Sequence, residues 1–416
     1  MAGLDPATQP TRVHARKKSF LFGTLSSDGP SGECASCESF ANALHPIVED
    51  RTKHLSTHPA SGLTLRGVTR RFGARLAVDD VSLDVERGHV LCLLGPSGCG
   101  KSTTLRIAAG LERADSGLVF VGARLVEGEG RNEPPETRRV GLMFQDYALF
   151  PHLSAKANVA FGLAKLPRAE REKRAEDELA RVGLSALKGA FPHTLSGGEQ
   201  QRVALARMLA PKPEIVLMDE PFSGLDSSLR DEVRGTTLKR LRDEGAAVVM
   251  VTHDPDEAMR VGDHVALMSE GRIVQTGTPT EIYRAPKVPQ AAALFGGANT
   301  FHARVTNGSA NSPFGHARAA ALAEGTWAEI LYRPASIRVA EQGIPAKVLA
   351  VRPYAGQLEV EAAIETSSLP QGVEAPNFVR AAAPLEAVIV PGALVRLAAR
   401  PEDAFVFPCR DEICRG

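Results

Sequence analysis

Long apolar runs are missing from this sequence. Nowhere in the 416-residue chain do apolar residues continue for the roughly 20 positions that a membrane-crossing helix needs. The basic residues Arg16, Lys17 and Lys18 precede only a short apolar patch, Phe20 to Gly23, which is too short for the core of a secretory signal. We therefore expect no transmembrane helix, and any membrane contact has to go through a partner.

An excess of charge of one sign is also missing, and cysteine is scarce. Lys+Arg and Asp+Glu both number 49, so no net field favours nucleic acid as a partner. Six cysteines are too few to make a disulfide scaffold in a chain of this length. The expected compartment is the cytoplasm, with reduced thiols.

The length predicts two folded domains and a tail. Residues 1–60 are rich in Ser, Pro, His and Gly and show no apolar period, so we interpret them as a disordered extension or as the product of an upstream start codon. Cys34 and Cys37 form a C-x-x-C pair there. Because structural zinc needs four ligands at set spacings, we expect no metal at this pair.

An α/β domain is predicted from about residue 61. Alternating apolar residues over 63–68 and 81–85 indicate half-buried strands, and Val90–Leu94 is continuous enough for a buried strand. Ser102–Ala109 is predicted as a helix that ends at Gly110. Strand, glycine-rich loop and helix begin a parallel α/β domain.

Further elements are predicted along the same domain. They are a helix over 168–182, a helix over 203–209, buried strands at Ile215–Met218 and Ala246–Val251, and a hairpin at Gly271. Because ligands of parallel sheets bind at the carboxyl ends of the strands, the residues after these strands are the candidates for chemistry.

From about residue 298 the pattern changes to short strand-like runs that are separated by Gly and Pro, which is typical of a small all-β barrel. The predicted strands are Ile330–Tyr332, Ile337–Val339, Lys347–Val351, Leu358–Ile364, Ala387–Val390, Leu394–Ala398 and Phe405–Phe407.

A phosphate-binding loop follows the strand at 90–94. The run Gly95-Pro96-Ser97-Gly98-Cys99-Gly100-Lys101-Ser102 fits the pattern G-x-x-x-x-G-K-[ST], and Thr103 follows it. Its glycines let backbone N–H groups face a phosphate, Lys101 reaches the β- and γ-phosphates, and Ser102 binds Mg²⁺. ATP and Mg²⁺ are therefore the expected ligands.

Two acids end the buried strand at 215–218. Asp219 is the candidate for holding Mg²⁺, and Glu220 is the candidate for polarising the attacking water. The alternative is a solvated pair of acids at a strand end, but a phosphate loop requires such a partner elsewhere in the chain.

A second anion site is predicted where another helix begins. Leu195-Ser196-Gly197-Gly198-Glu199 places a serine and two glycines at the start of a helix. One phosphate site already exists at Lys101, so a second one in the same chain needs an explanation.

The Leu-Ser-Gly-Gly-Glu run resembles the signature motif of ABC ATPases. The resemblance covers about residues 63–297, and more weakly 298–416. It implies an ABC ATP-binding domain over 61–297, with a helical subdomain at about 146–200, and it implies that two copies pack head to tail. Ser196, Gly197, Gly198 and Glu199 of each copy then complete the ATP site of the other.

Four other positions resemble the family residue by residue. Phe72 matches the aromatic residue that stacks on adenine, with a core phenylalanine as the alternative. Gln145 matches the glutamine that contacts Mg²⁺ and water and senses the permease. Asp226, in Ser-Gly-Leu-Asp, matches the loop at the dimer interface, and His253 matches the histidine that contacts the γ-phosphate. In the family, the segment 148–153 faces the permease, so we expect its aromatic side chains to be exposed.

The region 298–416 resembles the TOBE-type barrel of import ATPases. Arg333-Pro334 matches a motif of that barrel, but Ala335 stands where an acid is common, which puts a regulatory contact of that acid in doubt. The resemblance implies transmembrane permease subunits and an extracytoplasmic substrate-binding protein as partners, and a place on the cytoplasmic face of the inner membrane.

The cargo is expected to be ferric iron, because the segments 133–161, 223–226 and 253–259 look closest to ferric-iron ATPases. Polyamines, sugars and phosphonates stay open as alternatives. Two other functions are also weighed: a soluble ABC ATPase without a transporter, and a regulatory module that barely hydrolyses ATP. The single set of motifs speaks against the first, and the presence of both Glu220 and His253 speaks against the second.

Overall fold

The computed structural model describes residues 61–409, so the predictions for residues 1–60, including the pair Cys34 and Cys37, lie outside the described residues. No helix between residues 61 and 409 is long and apolar enough to cross a membrane.

The first part of the described chain alternates strands and helices. In chain order they are β1 (Ser61–Phe72), β2 (Arg75–Glu86), β3 (Val90–Leu94), α1 (Lys101–Ala109), β4 (Ser116–Val121), β5 (Arg124–Gly128), β6 (Arg131–Asn132), β7 (Val140–Met143), α2 (Ala155–Phe161), α3 (Arg168–Arg181), α4 (Gly197–Leu209), β8 (Ile215–Asp219), α5 (Ser227–Asp243), β9 (Ala247–Val251), α6 (Pro255–Val261), β10 (His264–Ser269), β11 (Arg272–Gly277), α7 (Pro279–Arg284) and α8 (Pro289–Leu294).

The second part is built from strands. They are β12 (Asn299–Thr306), β13 (Ser309–Ser312), β14 (Gly315–Arg318), β15 (Trp327–Tyr332), β16 (Arg338–Ala340), β17 (Ile344–Tyr354), β18 (Gln357–Ile364), β19 (Val379–Ala383), β20 (Leu394–Ala398) and β21 (Phe405–Pro408).

The central sheet has the order β11-β10-β3-β9-β8-β7. All its neighbouring strands are parallel except β11, which returns along β10 as the predicted hairpin. The carboxyl ends of β3, β7, β8 and β9 therefore lie at one edge. Gly95, Gln145, Glu220 and His253 follow these four ends within two residues, so the sheet brings distant parts of the sequence to one place.

Both faces of the central sheet are covered by core. On β3, Val90, Cys92 and Leu94 pack into the layer that contains α2 to α5. Leu91 and Leu93 pack into the other layer, with α1 and an antiparallel sheet of order β2-β1-β4-β5-β6. A strand that is buried on both faces must be apolar at every position, which is why the continuous run at 90–94 predicted it.

The buried Arg138 fixes the far end of α1. Its side chain is fully buried and pairs with Glu127 at 2.8 Å. The guanidinium also donates to the backbone carbonyls of Ile107 and Ala108, at 2.8 and 3.3 Å, which are carbonyls at the carboxyl end of α1. A cation at this end complements the helix dipole, so Arg138 holds the helix that carries the phosphate loop.

The predicted C-terminal barrel is confirmed, and a second sheet accompanies it. A closed barrel has the order β16-β19-β18-β17-β20, and an open sheet has the order β14-β13-β12-β15-β21. The two share one core. The predicted strands at 330–332 and 405–407 lie in the open sheet rather than in the barrel.

One predicted strand of this region is wrong. Residues 387–390 form no strand, and Val388 is 96% exposed. The segment lies between Pro384 and Pro391, and the turn bond from the N–H of Ala387 to the carbonyl of Pro384 replaces a ladder bond. Its apolar residues suggested a strand, but none of the described strands between residues 61 and 409 pairs with it.

Candidate functional site

The loop over 95–102 needs glycine at two positions for reasons of space. A Cβ at Gly95 would lie 2.1 Å from the carbonyl oxygen of Met268, and a Cβ at Gly100 would lie 2.2 Å from that of Ala77. Both glycines also have positive φ, 153° and 110°. Gly100 caps α1 without a side-chain hydrogen bond, so the start of this helix is open to an anion.

The Lys101 ammonium lies over the loop. Its Nζ donates to the carbonyls of Gly95 and Pro96, at 2.8 and 2.9 Å, and lies 3.7 Å from Sγ of the buried Cys99. A charged amine and the open start of α1 therefore converge on one loop, which gives it the electrostatics of a phosphate site.

A set of oxygen ligands lies beside the loop. The Ser102 hydroxyl donates to Oδ2 of Asp219 at 2.6 Å. Gln145 lines the same cleft, which has a volume of about 640 Å³. A hydroxyl, a carboxylate and an amide oxygen are the hard donors that Mg²⁺ prefers, so these three side chains fit the ion.

Glu220 and His253 face each other across neighbouring strand ends. Nδ1 of His253 lies 3.0 Å from Oε1 of Glu220. The backbone of Glu220 is left-handed, with φ of 51°, and its N–H donates to the carbonyl of Val251 on β9. Non-glycine residues seldom adopt this conformation, and it turns the Glu220 carboxylate toward the histidine.

Phe72 lies at a second opening of the loop. The residue is 44% exposed, and the cleft that it lines also contains Gly98, Lys101 and Thr103. Arg75 lines this cleft as well and donates to the carbonyl of Gly98 at 2.6 Å. Sequence reasoning missed Arg75, because no motif marks an arginine 20 or more positions before the loop that it contacts.

The Ser196 run begins α4 as a capped helix end. The Ser196 hydroxyl accepts from the N–H of Glu199, and the Glu199 carboxylate accepts from the N–H of Ser196 at 2.8 Å. The Ser196 N–H and the Ser196 hydroxyl, which donates to the same carboxylate at 2.9 Å, hold the pKa of Glu199 below its usual value. Glu199 thus stabilises the helix start, while Ser196 and Gly197 are exposed.

The segment 223–226 packs against this helix start. A Cβ at Gly198 would meet the carbonyl oxygen of Gly224 at 3.3 Å. Asp226 caps α5 by accepting from the N–H of Leu229 at 3.0 Å. Among the hydrogen bonds of residues 61–409, none joins 196–199 to the loop at 95–102 of the same chain.

Arg207 of α4 holds the turn after Gln145, which sequence reasoning also missed. Its guanidinium donates to the carbonyls of Tyr147 and Ala148, at 2.9 and 2.8 Å. Both residues have positive φ, 60° and 43°. Burial lowers the pKa of Arg207. The sequence carries no signal of this contact, because Arg207 lies 59 positions after Ala148.

The expectation of exposed aromatics at 148–153 is wrong for Phe150. Its ring is half-buried, 4.4 Å from the ring of Phe161 and beneath the Arg207 guanidinium at 5.5 Å. Phe161, which belongs to α2, is the exposed ring of this pair, at 59%. The turn at 147–148 folds Phe150 inward, which no local pattern indicates.

A phosphate loop at the end of a buried parallel strand, with an acidic strand end beside it, defines a nucleoside triphosphatase of the phosphate-loop class. A family model described as ABC transporter matches residues 78–223. The sulfate/thiosulfate import ATP-binding protein CysA of Burkholderia mallei is 41% identical over 324 residues, which cover 74% of this chain and 90% of that protein.

Two further relatives carry the name Fe(3+) ions import ATP-binding protein FbpC. That of Agrobacterium fabrum is 40% identical over 328 residues, which cover 76% of this chain and 91% of that protein. That of Haemophilus influenzae is 43% identical over 236 residues, which cover 56% and 67%. The chain belongs to the ABC transporter family, among the ATP-binding subunits of import systems. It binds ATP and is an ATPase that energises import.

Proposed function

We propose that two copies of this chain hydrolyse ATP at shared sites and thereby drive ferric iron uptake through a separate permease. The permease subunits span the inner membrane, the ATPase lies on its cytoplasmic face, and an extracytoplasmic binding protein delivers the cargo. The proposal is supported by the relatives named for import and by the exposed start of α4.

One copy supplies the phosphate side of each site. The backbone of Gly95, Pro96, Ser97, Gly98, Cys99 and Gly100 surrounds the β- and γ-phosphates, with Lys101 as the counter-charge and Thr103 at the start of α1. Phe72 stacks on the adenine. Ser102, Gln145 and Asp219 would hold Mg²⁺, which when bound neutralises charge on the phosphate oxygens.

The water is positioned by the pair at the strand ends. Glu220 accepts a hydrogen bond from the attacking water, and His253 orients Glu220 and reaches toward the γ-phosphate. Gln145 contacts the same water. Catalysis is then positioning and charge stabilisation, which is the general requirement of phosphoryl transfer.

The second copy supplies the other side of the site, and this is the step that carries the proposal. Ser196, Gly197 and Gly198 form a helix start whose first two residues are exposed. Among the described hydrogen bonds, none joins this start to the loop at 95–102, so a phosphate bound by a partner copy is the anion for which we propose that it is placed. Glu199 contributes by capping that helix. Asp226 lies next to the helix start, at the surface where the two copies meet.

Domain limits are part of the same proposal. We propose that 61–297 is the ATP-binding domain, with a helical subdomain at about 146–200 that faces the permease, and that 298–416 is the barrel domain. Phe161 is then a candidate for the permease contact, because it is the exposed aromatic of α2.

The cargo assignment rests on resemblance alone, and the names of the relatives give two candidates. Ferric iron is favoured by the resemblance of the segment 133–161 to ferric-iron ATPases, and the Agrobacterium protein named for it is matched over 91% of its length. Sulfate or thiosulfate is the second candidate, because the Burkholderia protein is matched over 90% of its length. The residues that touch ATP carry no information about which cargo passes the permease.

The test is ATPase stimulation in the complete complex in vesicles, with the cognate binding protein added. We expect stimulation by the ferric-loaded binding protein and none by the empty protein. Stimulation by a sulfate-loaded binding protein alone would transfer the assignment to the second candidate. A complex that contains Glu220→Gln is the matched control, since it must show no stimulation with either cargo.

A further inference from the structure

Arg75 is an exposed cation at the edge of the phosphate loop. It lies directly opposite Phe72 in the tight hairpin of β1 and β2. Residues that are opposite each other in an antiparallel pair project from the same face of the sheet. The two side chains are therefore neighbours, and both line the cleft that also contains Gly98 and Lys101.

The Arg75 guanidinium is tethered to the loop and lacks a counter-ion. Its Nη2 donates to the carbonyl of Gly98 at 2.6 Å, and the described part of the chain supplies it with no other hydrogen bond and no carboxylate. Arg70 of the same hairpin differs, because it pairs with Glu112 and with Asp115, each at 2.6 Å. A guanidinium has five N–H donors, so most of those of Arg75 remain for another acceptor.

The Phe72 ring is held from one side. The guanidinium carbon of Arg70 lies 4.8 Å from the centre of this ring, and the two carboxylates fix Arg70 in that place. Phe72 is nevertheless 44% exposed, so the ring keeps open surface on which a base can stack.

The position of Arg75 selects one part of the nucleotide. This step rests on the proposed function, in which adenine stacks on Phe72 and Lys101 reaches the β- and γ-phosphates. ATP joins adenine to the β-phosphate through the ribose and the α-phosphate, so these two groups have to lie along the cleft that Arg75 lines between them. Of the two, only the α-phosphate is anionic, and a guanidinium matches phosphate oxygens in charge and in geometry.

We propose that Arg75 binds the α-phosphate of the nucleotide, while the carbonyl of Gly98 holds the guanidinium in place. The α-phosphate is common to ATP and ADP and takes no part in bond breaking. Arg75 is then a binding residue that lowers the dissociation constants of both nucleotides and leaves the chemical step unchanged.

The first measurement is the affinity of the full-length chain for ATP and for ADP, without Mg²⁺ so that no hydrolysis occurs. We expect Arg75→Gln to weaken both by about tenfold, because one charge-assisted contact is lost. Arg75→Lys keeps the charge and should retain part of the affinity. Arg71→Gln is the matched control: Arg71 belongs to the same hairpin, its side chain points to the other face of the sheet, and it does not line the cleft.

ATP analogues that carry sulfur in place of one α-phosphate oxygen test the contact itself. The Rp and Sp diastereomers place the sulfur on different sides of the phosphorus, and sulfur is a weaker acceptor than oxygen. A guanidinium on one side contributes to a preference for one diastereomer. We therefore expect Arg75→Gln to change the ratio of the two dissociation constants severalfold, and Arg71→Gln to leave the ratio as it is in the wild type.

The ratio also separates a contact from a purely structural role. If Arg75→Gln weakens both diastereomers equally, the residue acts only through the carbonyl of Gly98, and the proposal is overturned. A loss for ATP without a loss for ADP would overturn it as well, since the partner would then be the γ-phosphate. Phe72→Ala tests the adenine position separately: unchanged ATP affinity in that variant would contradict the proposed stacking, while the diastereomer ratio still reports on Arg75.

Discussion

The imidazole of His253 and the carboxylate of Glu220 lie 3.0 Å apart at the ends of two neighbouring parallel strands. Thirty-three positions separate them in sequence, and the pairing of β8 with β9 brings them together. The N–H of Glu220 is bonded to Val251, so the acid is fixed by the strand that leads to the histidine. In the function that we propose, Glu220 is the base for the attacking water and His253 is its orienting partner.

Glu220→Gln tests the role of the acid. We expect ATP binding to persist and turnover to fall by roughly 100-fold or more, because the water loses its polarising carboxylate while the phosphate loop is intact. The measurements are ATPase rate, ATP affinity and size on a sizing column, where the variant should accumulate as an ATP-bound dimer. Near-normal turnover would remove Glu220 from this role. Lys101→Ala is the comparison, since it should weaken ATP binding itself.

Mixing two inactive variants tests the shared site. Lys101→Ala damages the phosphate loop, and Ser196→Arg damages the helix start that faces the partner. In a mixed dimer one site carries both lesions and the other carries none, so the mixture should regain part of the activity that each variant lacks. Each variant alone at the same total concentration is the control. No recovery, with mixed dimers shown to form, would count against sites shared between copies.

Asp219→Asn tests the oxygen ligands for Mg²⁺. The carboxylate lies 2.6 Å from the Ser102 hydroxyl, so it is placed to hold a cation beside the phosphates. We expect the gain in ATP affinity on adding Mg²⁺ to be largely lost, while affinity without Mg²⁺ is kept or increased, because one negative charge is removed. Titration of a fluorescent ATP analogue with and without Mg²⁺ measures both. An unchanged response to Mg²⁺ would exclude Asp219 as a ligand.

Arg207→Gln tests the turn after Gln145. The variant loses two charge-assisted bonds to carbonyls, and we expect a destabilisation of about 2 kcal/mol and a slower turnover with ATP affinity nearly unchanged. Denaturant unfolding and ATPase assays give the two numbers. Arg207→Lys keeps the charge but not both bonds, so it should lie between wild type and Arg207→Gln. Equal turnover in all three proteins would show that the turn does not position Gln145.

Local chemistry made much of the ATP-binding part predictable. The strand at 90–94 is apolar at every position because it is buried on both faces, and the loop after it requires Gly95 and Gly100 because neighbouring carbonyls leave no room for a Cβ. Because these constraints act on residues that are adjacent in the chain, they can be recognised in the sequence as apolar runs and motif spacings. The same holds for the capped start of α4 at Ser196.

Runs of apolar residues predicted strands less reliably in the C-terminal part than in the ATP-binding part. Residues 387–390 look like a strand but form none, while the alanine-rich β19 and the polar β13 are strands. Strand formation there depends on whether a neighbour supplies hydrogen bonds, and the neighbours come from distant segments. Periodicity therefore predicted four of the five barrel strands but missed β19.

The sequence by itself determined the class of chemistry, because phosphate binding requires glycines, a lysine and a helix start within a few consecutive residues. Only the tertiary structure decided which distant groups meet: Glu220 with His253, Arg207 with the turn at 147–148, and Arg333 with the ring of Tyr283. These contacts depend on strand order and helix packing, which are set by burial summed over the whole domain. Burial summed over a whole domain cannot be read from a short stretch of sequence, so these contacts are known only from the structure.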